Sequence, residues 1–184
     1  MNLPNFLTLL RLILVPFLVV FFYIPYFRTL SGSILLTLFF LIAVLTDWVD
    51  GYIARRFSQV TPLGKFLDPV ADKILIFSVL ILLVEEGRIP AWITIIIVSR
   101  DFIVTGLRLI ASYKGVAIAA ESLGKYKMFF QSVAIGFLIL IADSNLYLYE
   151  IGFGFLLLSV TFSLVSAWQY FYRFGTQFDL LKAQ

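Results

Sequence analysis

The sequence predicts an all-α integral membrane protein, a bundle of six transmembrane helices with both termini in the cytoplasm. Three observations carry that expectation. The chain has 184 residues of which 61% are hydrophobic, and its mean hydropathy is +1.01, well above the roughly 45–50% apolar share of soluble domains. Its apolar residues fall in six runs, each near the about 20 residues that a membrane-crossing helix needs. Its cations gather in alternate connections, as the positive-inside rule expects of a polytopic chain. A soluble core could not hide so much apolar surface in so short a chain, so the bilayer is the expected solvent. Six spans take up nearly the whole length, and a single domain over residues 1–184 follows.

The elements read in order. A first helix runs from about Asn5 to Tyr26, with Pro4 in the first turn where proline is tolerated. It does not read as a signal peptide, because Arg11 lies inside it and no small-residue cleavage site follows. A second helix covers about Gly32 to Arg55 and a third about Phe66 to Val84. The turn Glu85-Glu86-Gly87-Arg88 and Pro90 lead into a fourth, about Ala91 to Tyr113. A fifth runs from about Leu123 to Ala142 and a sixth from about Ile151 to Phe174.

Orientation follows from the cations. Arg55, Arg56 and Lys65 lie between the second and third helices, Lys114, Lys125 and Lys127 between the fourth and fifth, and Arg173 and Lys182 at the end. The opposite connections hold only Arg28 and Arg88 beside Glu85, Glu86, Asp143 and Glu150. The basic connections and both termini are therefore expected on the cytoplasmic side. Tyr23, Tyr26, Trp92, Tyr147 and Tyr149 would form an outer aromatic belt, with Tyr170 and Tyr172 near the inner surface.

Composition also restricts the chemistry. The chain has no cysteine and no histidine, which removes thiol catalysis, thiolate and imidazole ligands, disulfides and imidazole bases. Any bound metal must be held by oxygen, which favours hard ions such as Mg²⁺ or Mn²⁺. The formal net charge of +3 is small, and no nucleic-acid partner is expected.

Against that background four carboxylates stand out. Asp47 and Asp50 fall in the second helix after the apolar run from Ile34 to Leu45, and Asp68 and Asp72 at the start of the third. A carboxylate in a membrane segment costs roughly 2.5–3.5 kcal/mol even on lenient scales. Spacings of three and four put each pair on one helix face. Four such groups around one small volume would repel one another, and divalent cations would relieve that conflict. A salt bridge to Arg55, Lys65 or Lys73 is the alternative for any one of them, but it serves poorly for all four together. Gly51 and Gly64 allow close backbone approach by a ligand, and Ala54 leaves space one turn beyond Asp50.

Asp47, Asp50, Gly51, Ala54, Arg55, Gly64, Asp68 and Asp72 reproduce the pattern D-x2-D-G-x2-A-R-x8-G-x3-D-x3-D, and on it the chain resembles the CDP-alcohol phosphotransferases. The opening Asn2 to Arg11, the stretch from Ser99-Arg100-Asp101 to Arg108, and Gly124-Lys125-Tyr126-Lys127 resemble the branch that transfers a phosphatidyl group from CDP-diacylglycerol to sn-glycerol 3-phosphate, releasing CMP. Two positions depart from that branch: Asp101 stands where Glu is usual and Met128 where Thr commonly follows.

The resemblance implies that Asp47, Asp50, Asp68 and Asp72 hold two divalent cations, Mg²⁺ or Mn²⁺, that bridge the CDP pyrophosphate, and that Asp72 takes the proton of the acceptor hydroxyl. Such ions would neutralise the pyrophosphate and stabilise the leaving CMP. Asp50, Gly51, Ala54, Arg55 and Gly64 would line the CDP pocket. Asn5, Thr8 and Arg11 share a helix face and would close it, although capping and local backbone bonding serve equally for Asn5 and Thr8. Arg100, Arg108, Lys125 and Lys127 would meet the anionic acceptor. Arg100 has a second role open to it, a bridge to Asp101, and the lysines a second one in lipid headgroup contact. The resemblance also implies a homodimer in the lipids of a bacterial cytoplasmic membrane, with its active site facing the cytoplasm.

The motif reads the donor and the metals, so inositol phosphate, serine or phosphatidylglycerol as acceptor remain alternatives. A cation transporter is a rival of another class. Against it, the carboxylates cluster at one end of the bundle, and the outer half of the second helix has no acidic residue.

Overall fold

The computed structural model describes the backbone of residues 3–56, 62–113, 122–140 and 146–182, and the side chains of residues 9–46, 70–111, 124, 126–140 and 146–175. Among the described residues the chain forms six α-helices and one 3₁₀ turn, and no strand. The helices are α1 (Leu3–Tyr23), α2 (Leu30–Arg56), α3 (Pro62–Glu85), α4 (Ala91–Tyr113), α5 (Ser122–Ile139) and α6 (Leu146–Lys182), with the 3₁₀ turn Pro25–Arg28 between the first two.

Local chemistry explains where the helix ends depart from expectation. The first helix stops at Tyr23 rather than Tyr26 because Pro25 opens the 3₁₀ turn. The second begins two residues before Gly32. There Thr29 Oγ1 accepts the Gly32 N–H at 3.2 Å and donates to the Tyr26 carbonyl at 2.7 Å, satisfying an amide the helix itself leaves open. The third begins at Pro62 rather than Phe66, because proline suits a first helical position. It ends in a left-handed Gly87 with φ of 70°. The Gly87 N–H reaches the Val84 carbonyl at 3.0 Å and the Arg88 N–H that of Leu83 at 2.9 Å, the paired bonds of a Schellman cap.

The core lies among all six helices. Leu18, Phe40, Leu80, Leu83, Ile93, Ile97, Ile135, Leu138 and Leu156 are essentially fully buried. α5 and α6 form the most extensive pair, and α1 packs on both α2 and α3. Outside this core the helices turn apolar faces outward: Ile13, Phe17 and Val20 on α1, Ile34, Leu38, Ile42 and Leu45 on α2, Ile95, Phe102 and Leu109 on α4, and Leu157, Leu164 and Trp168 on α6. Soluble monomers rarely expose continuous apolar surface of that extent.

By length and composition, one stretch among the described residues, Leu146–Gly175 of α6, is long and apolar enough to cross a membrane. Leu9–Tyr23, Leu30–Thr46 and Tyr126–Ile139 are apolar but shorter. α6 spans 37 residues, considerably more than the expected Ile151 to Phe174. Tyr23, Tyr26, Trp92, Tyr147 and Tyr172 are exposed, as interfacial anchors must be. Tyr170 corrects the expectation of an inner anchor. It is 4% exposed and packs with Val104, Leu107 and Ala167 where the second halves of α4 and α6 meet.

Candidate functional site

The chain places the Asp motif on two consecutive helices. Asp47, Asp50, Gly51, Ala54 and Arg55 lie in the last three turns of α2, and Gly64, Asp68 and Asp72 in the first half of α3. The three- and four-residue spacings therefore run on unbroken helix, which keeps each pair on one face. Of this set the side chain of Asp72 is described and is partly buried. The side chains of the other seven, with those of Asn5, Thr8 and Lys125, lie outside the described residues. Among the described residues no group of three or more carboxylates assembles into a metal site. The donor chemistry of the four aspartates is oxygen only, which suits a hard divalent ion.

Beside Asp72 the structure builds a polar junction of four helices. Asp101 of α4 is its centre. Its carboxylate accepts the Arg100 Nη1 at 2.9 Å and, through both oxygens, the Lys127 Nζ of α5. Arg100 also ties α4 to α6, donating from Nε to the Ser163 carbonyl and from Nη2 to Ser166 Oγ, each at 2.9 Å. Ser159 of α6 donates to the Lys127 carbonyl at 3.3 Å. From α3, Lys73 donates to Thr105 Oγ1, which donates in turn to the Asp101 carbonyl at 2.6 Å. A buried charge is tolerated only when paired and hydrogen-bonded, and these contacts meet that condition.

Arg100 thus takes the bridging role that the sequence left open for it. Arg108 is exposed on α4, with its guanidinium 5.7 Å from the centre of the Tyr170 ring, within cation–π range. That contact adds to the packing of Tyr170 on Val104, Leu107 and Ala167. Asp72, Asp101, Arg100 and Arg108 all lie near enough to Lys73 for their charges to act on it, and Asp72, Asp101 and Arg100 act likewise on Lys127. Among the described residues, Lys73, Arg100, Arg108 and Lys127 thus gather in one region with Asp72 and Asp101, a set of cations that can meet an anionic ligand.

Thr105, Ser163 and Ser166 were not among the expected site residues. One signal was available. Ser159, Ser163, Ser166 and Tyr170 recur at helical spacing on an otherwise apolar helix, which marks a polar stripe facing a partner.

The bundle carries the Asp-x2-Asp-Gly motif on two helices beside a cluster of cations, and comparison with known proteins gives its class. The CDP-alcohol phosphatidyltransferase family matches residues 1–165, and the chain belongs to that family. Among its relatives, a protein of Bacillus subtilis (strain 168) is 42% identical, covering 92% of this chain and 93% of the relative. One from Haemophilus influenzae is 44% identical over 73% of this chain and 74% of its own length. One from Rickettsia bellii is 35% identical over 92% and 93%. All three are named CDP-diacylglycerol–glycerol-3-phosphate 3-phosphatidyltransferase.

Proposed function

We propose that the chain transfers the phosphatidyl group of CDP-diacylglycerol to sn-glycerol 3-phosphate, giving phosphatidylglycerophosphate and CMP. The observation that carries this reading is the complete eight-residue Asp motif on α2 and α3. The names of relatives that span nearly the whole chain support the acceptor.

Asp47, Asp50, Asp68 and Asp72 would hold two divalent cations, Mg²⁺ or Mn²⁺, which supply charge neutralisation at the pyrophosphate and at the departing phosphate. Asp50, Gly51, Ala54, Arg55 and Gly64 line the CDP side, with Asn5 and Thr8 of α1 closing it. Asp72 accepts the proton of the attacking acceptor hydroxyl. That oxygen forms a bond to the phosphatidyl phosphorus as the bond from phosphorus to the CMP oxygen breaks. Arg100, Arg108, Lys125 and Lys127 hold the acceptor phosphate, a group of charge about −1.5 to −2 near neutral pH. The clustering of Lys73, Arg100, Arg108 and Lys127 near Asp72 supports an anionic acceptor over serine, which carries no net charge.

In this reading residues 1–184 form one domain of six membrane-crossing helices, with both termini and the site at the cytoplasmic face, in a homodimer surrounded by bacterial membrane lipids. The outward apolar faces support the lipid setting, and the cation distribution supports the orientation. The deciding experiment measures CMP release from CDP-diacylglycerol with Mg²⁺ or Mn²⁺ and a panel of acceptors. Release with sn-glycerol 3-phosphate is expected. No release with any acceptor would overturn the enzyme reading, and release with inositol phosphate alone would overturn only the acceptor.

A further inference from the structure

Asp101 has no part in the Asp motif, yet its carboxylate joins α4 to α5 through Arg100 and Lys127. Arg100 does not depend on it for placement, since the Ser163 carbonyl and Ser166 Oγ of α6 already hold two of its nitrogens. Lys127 is different. Its side chain is 6% exposed, and both of its side-chain hydrogen bonds in the junction go to the two oxygens of Asp101. An ammonium has three donors, so the pairing uses two and leaves one N–H to aim at a ligand.

We propose that Asp101 is a positioning residue for acceptor binding, fixing the Lys127 ammonium beside Asp72 so that its remaining donor meets the acceptor phosphate. This rests on the functional reading above and deepens it by assigning a carboxylate to the anion site. A carboxylate next to an anion site opposes binding through its own charge. Here the opposition is outweighed, because Arg100, Arg108 and Lys73 crowd the same junction. What Asp101 adds is direction. A long, flexible ammonium stem loses rotamer freedom when it is held, and pinning it before the acceptor arrives removes that cost from binding. Arg100 and Asp101 keep 12% and 11% exposure at their side chains, so the junction is not sealed from a ligand. Thr105 contributes from below: its hydroxyl binds the Asp101 carbonyl and accepts from Lys73, which locks the helix turn from which Asp101 projects.

The test is a mutant cycle on the full chain in detergent–lipid micelles, with KM measured separately for acceptor and donor. Asp101→Asn keeps the shape and removes the charge. It is expected to raise the KM for sn-glycerol 3-phosphate by about tenfold, with the KM for CDP-diacylglycerol changed by less than about threefold. Asp101→Glu is expected to restore the acceptor KM to within about threefold of the parent, because it restores the ion pair. In a Lys127→Met background, adding Asp101→Asn should change the acceptor KM little further, as residues acting through one another are non-additive. An unchanged acceptor KM in Asp101→Asn, or equal rises for both substrates, would overturn the proposal. If Asp101→Asn fails to accumulate, the double variant decides against Lys127→Met alone: equal acceptor KM values support positioning, and a further independent rise overturns it. Failure of the parent chain to release CMP with glycerol phosphate would instead be a failure of the functional reading.

Discussion

The guanidinium of Arg88 donates to the backbone carbonyls of Leu138 and Ile139 at 2.6 and 2.9 Å. A residue in the turn between α3 and α4 therefore caps the C-terminus of α5, whose last carbonyls have no partner within their own helix. Glu86 holds the other side of the guanidinium at 2.7 Å. Burial lowers the pKa of Arg88 from its usual value, while the Glu86 carboxylate raises it, and an arginine keeps its charge regardless. Arg88→Met is expected to destabilise the fold by about 2–3 kcal/mol, the worth of a hydrogen bond to a charged donor. Thermal unfolding in detergent checks it, and an unchanged Tm would remove Arg88 from the cap.

Gly32 marks the closest approach of the 3₁₀ turn to α2. A Cβ at this position would sit 2.1 Å from the Tyr26 carbonyl oxygen and 2.6 Å from the Phe27 Cα, both backbone atoms. Backbone cannot swing aside as a side chain can, so Gly32→Ala is expected to cost about 3 kcal/mol or more. Gly154→Ala is the control. Nothing lies within 4 Å of a Cβ there, and alanine in a helix is favoured by roughly 0.5–1 kcal/mol. Opposite shifts in Tm are expected from the two variants.

These contacts show what one sequence makes legible. The Asp motif could be read because its members lie on two continuous helices, where spacing alone fixes the face. Arg100 and Asp101 are neighbours, so their bridge was open to inference as well. The Lys127–Asp101 pair joins residues 26 positions apart and depends on how α4 meets α5, which periodicity does not encode. Tyr170 was assigned to the wrong environment for the same reason. Depth along a helix can be counted from the sequence, but the side facing Arg108 rather than lipid is decided by packing.

Asp72 lies within reach of the charges of Lys73 and Lys127 at the cation junction, and it is the proposed base. Asp72→Asn preserves volume but loses the ability to take a proton at neutral pH. CMP release is expected to fall by about 10²–10⁴, the usual worth of a positioned base, with protein still recovered from the membrane fraction. Activity within about threefold of the parent would assign the proton elsewhere.

Metal removal addresses the four aspartates as a group. Chelation with EDTA should reduce CMP release by roughly a hundredfold or more, since the ions supply several kcal/mol of charge stabilisation. Added Mg²⁺ or Mn²⁺ should restore it, and Mn²⁺ should raise the Tm of the unliganded protein, because binding to the folded state alone stabilises that state. A Tm insensitive to either ion in the parent, or a shift that persists in an Asp47→Asn/Asp68→Asn double variant, would count against the ligand set.

Lys125 lies two residues before Lys127 in the first turn of α5, and positions two apart on a helix do not share a face. Both were assigned to the acceptor phosphate, but the inward position belongs to Lys127, which is pinned by Asp101. Lys125 would act as a longer-range charge that gathers the anion. Lys125→Ala is then expected to raise the acceptor KM by about three- to tenfold at low salt, with the donor KM nearly unchanged. That penalty should shrink as ionic strength rises toward 0.5 M, because exposed charges are screened over a Debye length of only about 10 Å at 0.1 M salt. Lys127→Ala should keep most of its penalty under the same conditions, since a buried ammonium is screened far less. Equal salt sensitivity in the two variants would place both lysines at the surface and remove the distinction between gathering the acceptor and holding it.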